Sequence, residues 1–204
     1  PDLARIVEGY HLDCPYLSKE DGLRSAHDLL FFKEPDWDEF QRLQEAANGR
    51  IKLLTLSPEW EQSENFIEKV VQSGVKVAIG HTAANSSQIE RAVHAGASLS
   101  THLGNGAHVN LPRHPNYIWD QLSHDELFAS VIADGHHLPK SVLNVFHKVK
   151  KEKMFLVSDS VALAGMPPGN YQTSVGGEVT LTESGRLHLK QDEKLLAGSA
   201  QNIW

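Results

Sequence analysis

The chain has only one cysteine, Cys14, and no long apolar run. A single cysteine cannot form an intrachain disulfide, which agrees with a reducing compartment. No apolar stretch approaches the roughly 18 residues that a membrane-spanning helix needs, and no basic segment followed by an apolar one stands at the start. We therefore expect a cytoplasmic protein with no membrane partner.

Positive charge is also scarce. The 204 residues include 19 Lys and Arg against 26 Asp and Glu, a formal net charge of -7. Because binding to a phosphate backbone needs a concentrated positive surface, we expect no nucleic-acid partner. The unusual feature is twelve histidines, which directs attention to metal ligands. A single histidine taken alone is more often a surface or packing residue, so position has to decide.

Short aliphatic runs alternate with helical segments along most of the chain. Such alternation predicts an α/β fold of parallel strands joined by helices. Later strands are predicted at 50–56, 75–80, 97–101, 127–133 and 154–158, after a first one at Ile6 and Val7. The helix that Pro139 begins is expected to pack these residues inward: Val142, Leu143, Phe146 and Val149. Residues 171–189 alternate polar and apolar side chains between turn signals, which predicts an antiparallel hairpin.

Histidine or aspartate follows five of the six predicted strands. These residues are His11 and Asp13, His81, His102, Asp134 with His136 and His137, and Asp159. Loops at the carboxyl ends of the strands hold the active site of a closed α/β barrel, so we expect these side chains to gather. Unpaired ionisable groups gathered there would repel or desolvate one another without a metal or substrate.

Two histidines and a carboxylate with an open position suit a catalytic divalent metal such as zinc. A further carboxylate outside the metal's ligands is then needed to move protons, and Asp159 is the candidate. Glu59, which follows Ser57 and Pro58 in a predicted helix entry, has two interpretations. It is either an acid that supports the metal ligands or a carboxylate at a helix N-terminus, where the helix dipole favours negative charge.

Seven short strings contain most of these residues, in order and over nearly the whole chain. They are residues 9–15 (GYHLDCP), 80–82 (GHT), 101–106 (THLGNG), 134–137 (DGHH), 156–160 (LVSDS), 164–167 (AGMP) and 196–199 (LAGS). Together they resemble the successive signatures of the N-acetylglucosamine-6-phosphate deacetylase family of amidohydrolases. One such string is weak evidence, but seven in the family's order are specific.

The resemblance implies a (β/α)8 TIM-type barrel of the amidohydrolase type. A complete barrel of this kind has about 250 residues. We therefore expect residues 1–204 to form a partial catalytic barrel, with the 171–195 hairpin as an insertion near the C-terminus. The resemblance also implies a homodimer.

The resemblance further implies roles for individual residues. Asp13, His81 and His102 fall on the family's metal ligands, and Asp159 falls on its catalytic aspartate. The substrate contacts fall on His27, Asn105, Gly106, Arg113 and His137. Among these, Arg113 would bind the phosphate.

The implied reaction is metal-dependent hydrolysis of the N-acetyl group of N-acetylglucosamine 6-phosphate. Two departures bear on it, because Asp13 stands where glutamate is usual and Cys14 where glycine is usual. A carboxylate shorter by one methylene requires a shift of the backbone or of the metal. Two alternatives stay open: a degenerate homologue that binds the sugar phosphate without turnover, and an amidohydrolase that acts on another amide.

Overall fold

The computed structural model describes residues 6–23, 29–174 and 176–201. Its main sheet has six strands in sequential order, each parallel to the next. The strands are β1 (Tyr10–Leu12), β2 (Ile51–Leu56), β3 (Lys76–Ile79), β4 (Leu99–Ser100), β5 (Phe128–Val131) and β6 (Met154–Leu156). The sheet curls into a half-barrel around an interior cavity that side chains of β1, β2, β4, β5 and β6 line. The predicted α/β alternation is confirmed.

Helices connect consecutive strands along the sheet. They are α1 (Trp37–Ala46), α2 (Ser63–Gln72), α3 (Ser86–His94), α4 (Tyr117–Ser123) and α5 (Lys140–Lys150). Asn85 begins α3 with a capping box, because its side chain accepts from the Gln88 N–H and the Gln88 side chain accepts from the Asn85 N–H. The apolar faces of α2 and α3 pack into one core with the strands, which includes Ile67 and Ile89. None of the described helices has the length and apolar character that crossing a bilayer requires.

Two details of the prediction were wrong. The first strand is Tyr10–Leu12 rather than Ile6 and Val7, whose side chains are exposed, because pairing with β2 begins at Tyr10. Val149 of α5 is also exposed rather than packed inward. The next residue, Lys150, turns inward instead, and its ammonium donates to the carbonyls of Gln121 and His124 at 2.9 and 2.7 Å.

A second, antiparallel sheet follows the half-barrel. It contains β7 (Gly169–Thr173), β8 (Gly177–Leu181) and β9 (Leu187–Leu189) in that order, so the predicted hairpin is confirmed and has a third strand. This sheet has a small core of its own, in which Val179 is fully buried. The chain then returns to the half-barrel, where Ser199 forms a parallel bridge with Ser160. The hairpin region therefore ends beside the loop that contains Asp159.

Candidate active site

Three potential metal ligands meet at the carboxyl edge of the sheet. Asp13 follows β1, His81 follows β3 and His102 follows β4, and one ligand atom from each lies within 4.8 Å of the others. The Nε2 atoms of the two histidines are 3.1 Å apart. They lie 3.9 Å (His81) and 3.6 Å (His102) from Asp13 Oδ2. The structure thus brings together the three residues that the sequence predicts as ligands.

The atoms of this cluster fit a divalent ion. Asp13 Oδ1 is buried and has no hydrogen-bond partner among the described residues, an arrangement that costs about 1–3 kcal/mol and that a bound cation would relieve. His81 Nδ1 lies 2.6 Å from the carbonyl oxygen of Leu23, so this nitrogen donates and Nε2 keeps its lone pair for the cluster. Two imidazoles and one carboxylate leave a fourth position open, as in catalytic zinc sites.

Electrostatics at the cluster favour a cation. Burial by itself would raise the pKa of the Asp13 carboxyl, but His102, His81 and His11 hold this pKa well below its usual range. Burial would lower the pKa of His102, whereas its interaction with Asp13 raises it. Burial lowers the pKa of His11. Asp13 is therefore ionised at neutral pH and supplies the negative charge that a metal site needs.

The backbone is strained at several of these positions. His81, His102 and Asp159 have φ angles of +48°, +31° and +48°, in the left-handed region that side chains other than glycine rarely adopt. Such residues cost about 1–3 kcal/mol each and cluster at functional sites, where the surrounding structure fixes them. The strain at the ends of β3, β4 and β6 therefore supports a shared functional role for these three residues.

Asp159 lines the same interior cavity as Asp13 and His102, a space of about 420 Å³. Its side chain is exposed, and its carbonyl oxygen accepts from the N–H of Ser199 at 3.3 Å. Its negative charge also raises the pKa of His102. The carboxylate is thus placed where it can exchange protons with a molecule in the cavity.

His11, one of the strand-end residues that the sequence predicts to gather at this edge, begins a row of hydrogen-bonded side chains that reaches the cavity wall at Thr101. His11 Nε2 lies 2.6 Å from Thr55 Oγ1, which lies 2.7 Å from Thr101 Oγ1. Side chains alternate between the two faces along a strand, so His11 and Asp13, two residues apart, share a face. That spacing agrees with the position of His11 in the cavity wall, whereas Thr55 belongs to none of the seven strings.

Asn105 and Gly106, which the resemblance implies as substrate contacts, lie close to the metal-ligand candidates. The Asn105 N–H donates to the His102 carbonyl at 2.8 Å. Gly106 has a φ of +55°, and a Cβ there would stand 2.4 Å from His81 Nδ1. Both residues border a narrow space beside His81. The loop after β4 can therefore approach the His81 ring only because residue 106 is glycine.

His137, after β5, is held by Asp134. Its Nδ1 lies 2.8 Å from Asp134 Oδ2, while Oδ1 accepts from the N–H groups of His136 and His137 at 2.9 Å each. Burial would raise the pKa of Asp134, but these donors lower it, so the carboxylate is ionised at neutral pH. His137 Nδ1 is then the donating nitrogen. The Nε2 atom has no hydrogen-bond partner in the described part of the chain.

Arg113, a predicted substrate contact, and Cys14, one of the departures from the family pattern, are less closely tied to the cluster. Arg113 is exposed in the loop between β4 and α4, and no hydrogen bond or ion pair among the described residues joins it to the metal-ligand candidates. His27 falls in 24–28, outside the described residues. Burial and the charge of Asp13 raise the pKa of the Cys14 thiol to about 11, so it is protonated at neutral pH, and its sulfur is not part of the ligand cluster.

Comparison with known proteins relates this geometry to an enzyme family. The chain is 33% identical over 195 residues to N-acetylglucosamine-6-phosphate deacetylase from Lysinibacillus sphaericus, an alignment that covers 95% of this chain and 49% of the relative. The crystal structure of N-acetyl-D-glucosamine-6-phosphate deacetylase from Mycobacterium smegmatis matches with a TM-score of 0.88 at 28% identity, covering 98% of this chain and 53% of that one. The chain is a homologue of the N-acetylglucosamine-6-phosphate deacetylases.

Further matches to this chain are also amino-sugar-phosphate deacetylases. The N-acetylgalactosamine-6-phosphate deacetylase of Escherichia coli O157:H7 is 30% identical over 186 residues, which is 89% of this chain and 49% of the relative. A second Mycobacterium smegmatis deacetylase structure, a variant in complex with N-acetyl-D-glucosamine-6-phosphate, matches with a TM-score of 0.87. No protein-family model matches. The chain spans about half the length of the curated deacetylases it matches.

Proposed function

We propose that this protein hydrolyses the N-acetyl group of N-acetylglucosamine 6-phosphate, giving glucosamine 6-phosphate and acetate. The observation that supports this most directly is the Asp13, His81 and His102 cluster, with Asp159 in the same cavity. The relatives named for this reaction, which align with most of the chain, support the choice of substrate. The proposed cofactor is a divalent metal ion, and the nitrogen-rich donor set favours zinc.

In this proposal the metal site consists of Asp13, His81 and His102. A divalent ion bound there would acidify water and polarise the amide carbonyl. Asp159 would accept the proton of the attacking water and donate it to the nitrogen of the leaving group. The nitrogen would then leave as a neutral amine rather than as an anion. His137 would present its Nε2 to the substrate, in an orientation that Asp134 holds.

The phosphate of the substrate needs a separate partner. Arg113 has a planar, permanently charged guanidinium, which binds phosphate through paired hydrogen bonds, and its exposed position leaves it free to do so. Asn105 and Gly106, beside His81, would contact the sugar through the loop after β4. His27 is proposed as a further sugar contact from the resemblance alone.

The wider setting of the site is also proposed. The six parallel strands would form part of an eight-stranded TIM-type barrel, with residues 171–195 as an insertion at its edge. The protein would act in the cytoplasm as a homodimer.

Acetate release tests the proposed activity. We expect purified protein with Zn²⁺ to release acetate from N-acetylglucosamine 6-phosphate, and a chelator to abolish release until Zn²⁺ is restored. Asp159→Asn should lower kcat by about 10²–10⁴-fold, because a positioned acid–base group contributes that much, without loss of bound metal. The matched control is Asp125→Asn, an exposed aspartate outside the cavity.

The same assay distinguishes the alternatives. Protein that binds Zn²⁺ and the sugar phosphate but releases no acetate would be the non-catalytic homologue. The galactosamine relative gives a specific reason to assay N-acetylgalactosamine 6-phosphate in parallel. Faster release from that epimer would correct the proposed sugar, whereas turnover of unrelated amides alone would indicate a different amidohydrolase.

A further inference from the structure

Glu59 joins three separate loops beside the metal-ligand candidate His81. The side chain is half-buried, and its carboxylate accepts three hydrogen bonds. The hydroxyl of Ser18 donates to Oε1 at 2.8 Å. The hydroxyl of Ser57 and the backbone N–H of Ala83 both donate to Oε2 at 2.8 Å. These donors come from the loops after β1, β2 and β3, so one acid ties together three neighbouring strand ends.

The contacts form a closed polar network. Ser57 has one hydroxyl hydrogen, which it gives to Glu59, so the Thr82 hydroxyl donates to Ser57 Oγ at 2.8 Å. Thr82 Oγ1 in turn accepts from the Ala84 N–H at 2.9 Å. Ser18, Ser57 and Thr82 are buried. A buried network of this kind rigidifies its surroundings when it is fully satisfied and is costly when a member is lost.

His81 lies inside this network. Its carbonyl accepts from the Ser18 N–H at 3.0 Å, and the two residues that follow it are held through Ser57 and Glu59. The left-handed φ of His81, +48°, persists only where the surroundings impose it. The hydrogen bond to the Leu23 carbonyl orients the His81 ring but not the His81 backbone. Other contacts must therefore hold the backbone in its left-handed conformation. The Glu59 network supplies that support.

The other interpretation of Glu59, a carboxylate at a helix N-terminus, does not describe its contacts. The helix α2 begins at Ser63, four residues later, and Gln62 is its N-cap. None of the three described donors to the Glu59 carboxylate is an N–H group of α2. The carboxylate therefore faces the strand-end loops rather than the helix.

We propose that Glu59 is a positioning residue that holds His81 in its metal-binding conformation. The inference rests on the proposed function only in that His81 binds a divalent ion. In Glu59→Gln one acceptor oxygen becomes an NH₂ group, which can only donate. If the NH₂ group faces Ala83, it meets a backbone N–H that cannot accept. If it faces Ser18, the Ser18 hydroxyl has to turn and accept instead. In both orientations the charge is lost, and the hydrogen bonds to a carboxylate become weaker neutral ones. The His81 backbone should consequently lose part of its support.

The test is Zn²⁺ affinity, measured on metal-stripped protein by competition with a chromophoric chelator. Groups that orient a metal ligand typically account for 10–100-fold in affinity, so we expect Glu59→Gln to bind Zn²⁺ about 10–100-fold more weakly. The visible spectrum of the Co²⁺-loaded protein should change as well, because it reports ligand geometry. The matched control is Glu61→Gln, the same change at an exposed glutamate two residues away, which should leave both readouts unaltered.

A purely structural role would give a different result. Glu59→Gln would then lower the free energy of unfolding of the metal-free protein while Zn²⁺ affinity and the Co²⁺ spectrum stayed as in the parent, which would overturn the inference. If Glu59→Gln does not fold, Ser57→Ala removes one donor and keeps the carboxylate, and it should weaken Zn²⁺ binding several-fold. Unchanged affinity in Ser57→Ala would also refute a positioning role.

Failure of the proposed function is recognised separately. If the parent protein itself binds no Zn²⁺, the metal site is wrong and the role of Glu59 falls with it. If the parent binds Zn²⁺ and both Glu59→Gln and Ser57→Ala bind it equally well, only the inference about Glu59 is lost.

Discussion

Asp13 shows how one residue can depart from a family pattern and keep its place. Its carboxylate is one methylene shorter than the glutamate that the resemblance implies, yet Oδ2 lies within 3.9 Å of the Nε2 atoms of both His81 and His102. The pairing of β1 with β2 shifts register between Tyr10 and His11. Irregularities of this kind re-aim the side chains that follow them and are common beside active sites. The Asp13 carboxylate therefore reaches both histidines without the extra methylene.

The exposed Arg113 gives a prediction for substrate binding. Arg113→Ala should raise KM for N-acetylglucosamine 6-phosphate by about 10–100-fold, because hydrogen bonds to a charged group contribute about 1.5–3 kcal/mol each. Turnover of the unphosphorylated sugar should not change. Arg91→Ala, which removes an exposed arginine on α3, is the control. An unaltered KM in Arg113→Ala would remove the support for a phosphorylated substrate.

Asp134 gives a prediction for pH. Its pKa is lowered in the folded protein, so the stabilisation is present above the unfolded pKa, near 4, and is lost as the pH falls through the lower folded value. Asp134→Asn should reduce the free energy of unfolding at pH 7 by about 1–2 kcal/mol, through weaker acceptance from the His136 and His137 N–H groups.

Urea unfolding of both proteins between pH 7 and pH 3 measures this effect. The difference between parent and Asp134→Asn should shrink as the pH approaches 3. A difference that is constant over this range would show that the charge of Asp134 is not its source.

Strands β2, β3 and β4 pack closely beside the site. Gly80, at the end of β3, lies between β2 and the residue after β4: a Cβ there would stand 2.8 Å from Thr55 Cγ2 and 3.0 Å from Thr101 Cβ. Those two threonines form the hydrogen-bonded row with His11. The packing of β2, β3 and β4 and the hydrogen bond between the two threonines therefore both depend on the absence of a Cβ at Gly80.

Gly80→Ala should destabilise the protein by about 1–3 kcal/mol, since overpacking of a filled interior costs that much. It should also weaken Zn²⁺ binding, because residue 80 directly precedes His81. Gly169→Ala in β7 is the control, since its Cβ would meet only ordinary contacts at 3.7 Å and beyond. Equal stability of the two variants in urea would contradict this packing argument.

The strands could be predicted from sequence better than the helices. Runs such as 50–56 and 154–158 are rich in apolar residues and lie between polar ones, and strands lie there. Strand β4, in contrast, has only two residues. Helix α1 has a recognisable start, because Asp36 caps it and accepts from the Glu39 N–H. Helix α4 has only seven residues, too short for a periodic pattern. Val149 was misjudged because a lysine, Lys150, occupies the inward position.

The whole-molecule arrangement explains why the metal cluster was predictable. Parallel strands in sequential order place every strand's carboxyl end at one edge, so residues far apart in sequence, such as Asp13 and His102, meet there. Sequence spacing could not predict the contacts between loops. The bond from His81 to the Leu23 carbonyl and the network around Glu59 depend on how loops fold over that edge.

Metal binding should therefore be linked to the stability of the whole half-barrel. An ion held by Asp13, His81 and His102 ties together the ends of β1, β3 and β4 and binds only the folded state. A ligand present at 100 times its dissociation constant stabilises the folded state by about 2.7 kcal/mol. The orphaned Asp13 Oδ1 is consistent with such a dependence.

Metal content per chain, measured by mass spectrometry on purified protein and on His102→Ala, tests the central claim most directly. We expect one divalent ion per chain in the parent and none in His102→Ala. A parent protein without metal in the presence of Zn²⁺, or a variant that retains a full equivalent, would contradict the assignment of this cluster as the metal centre.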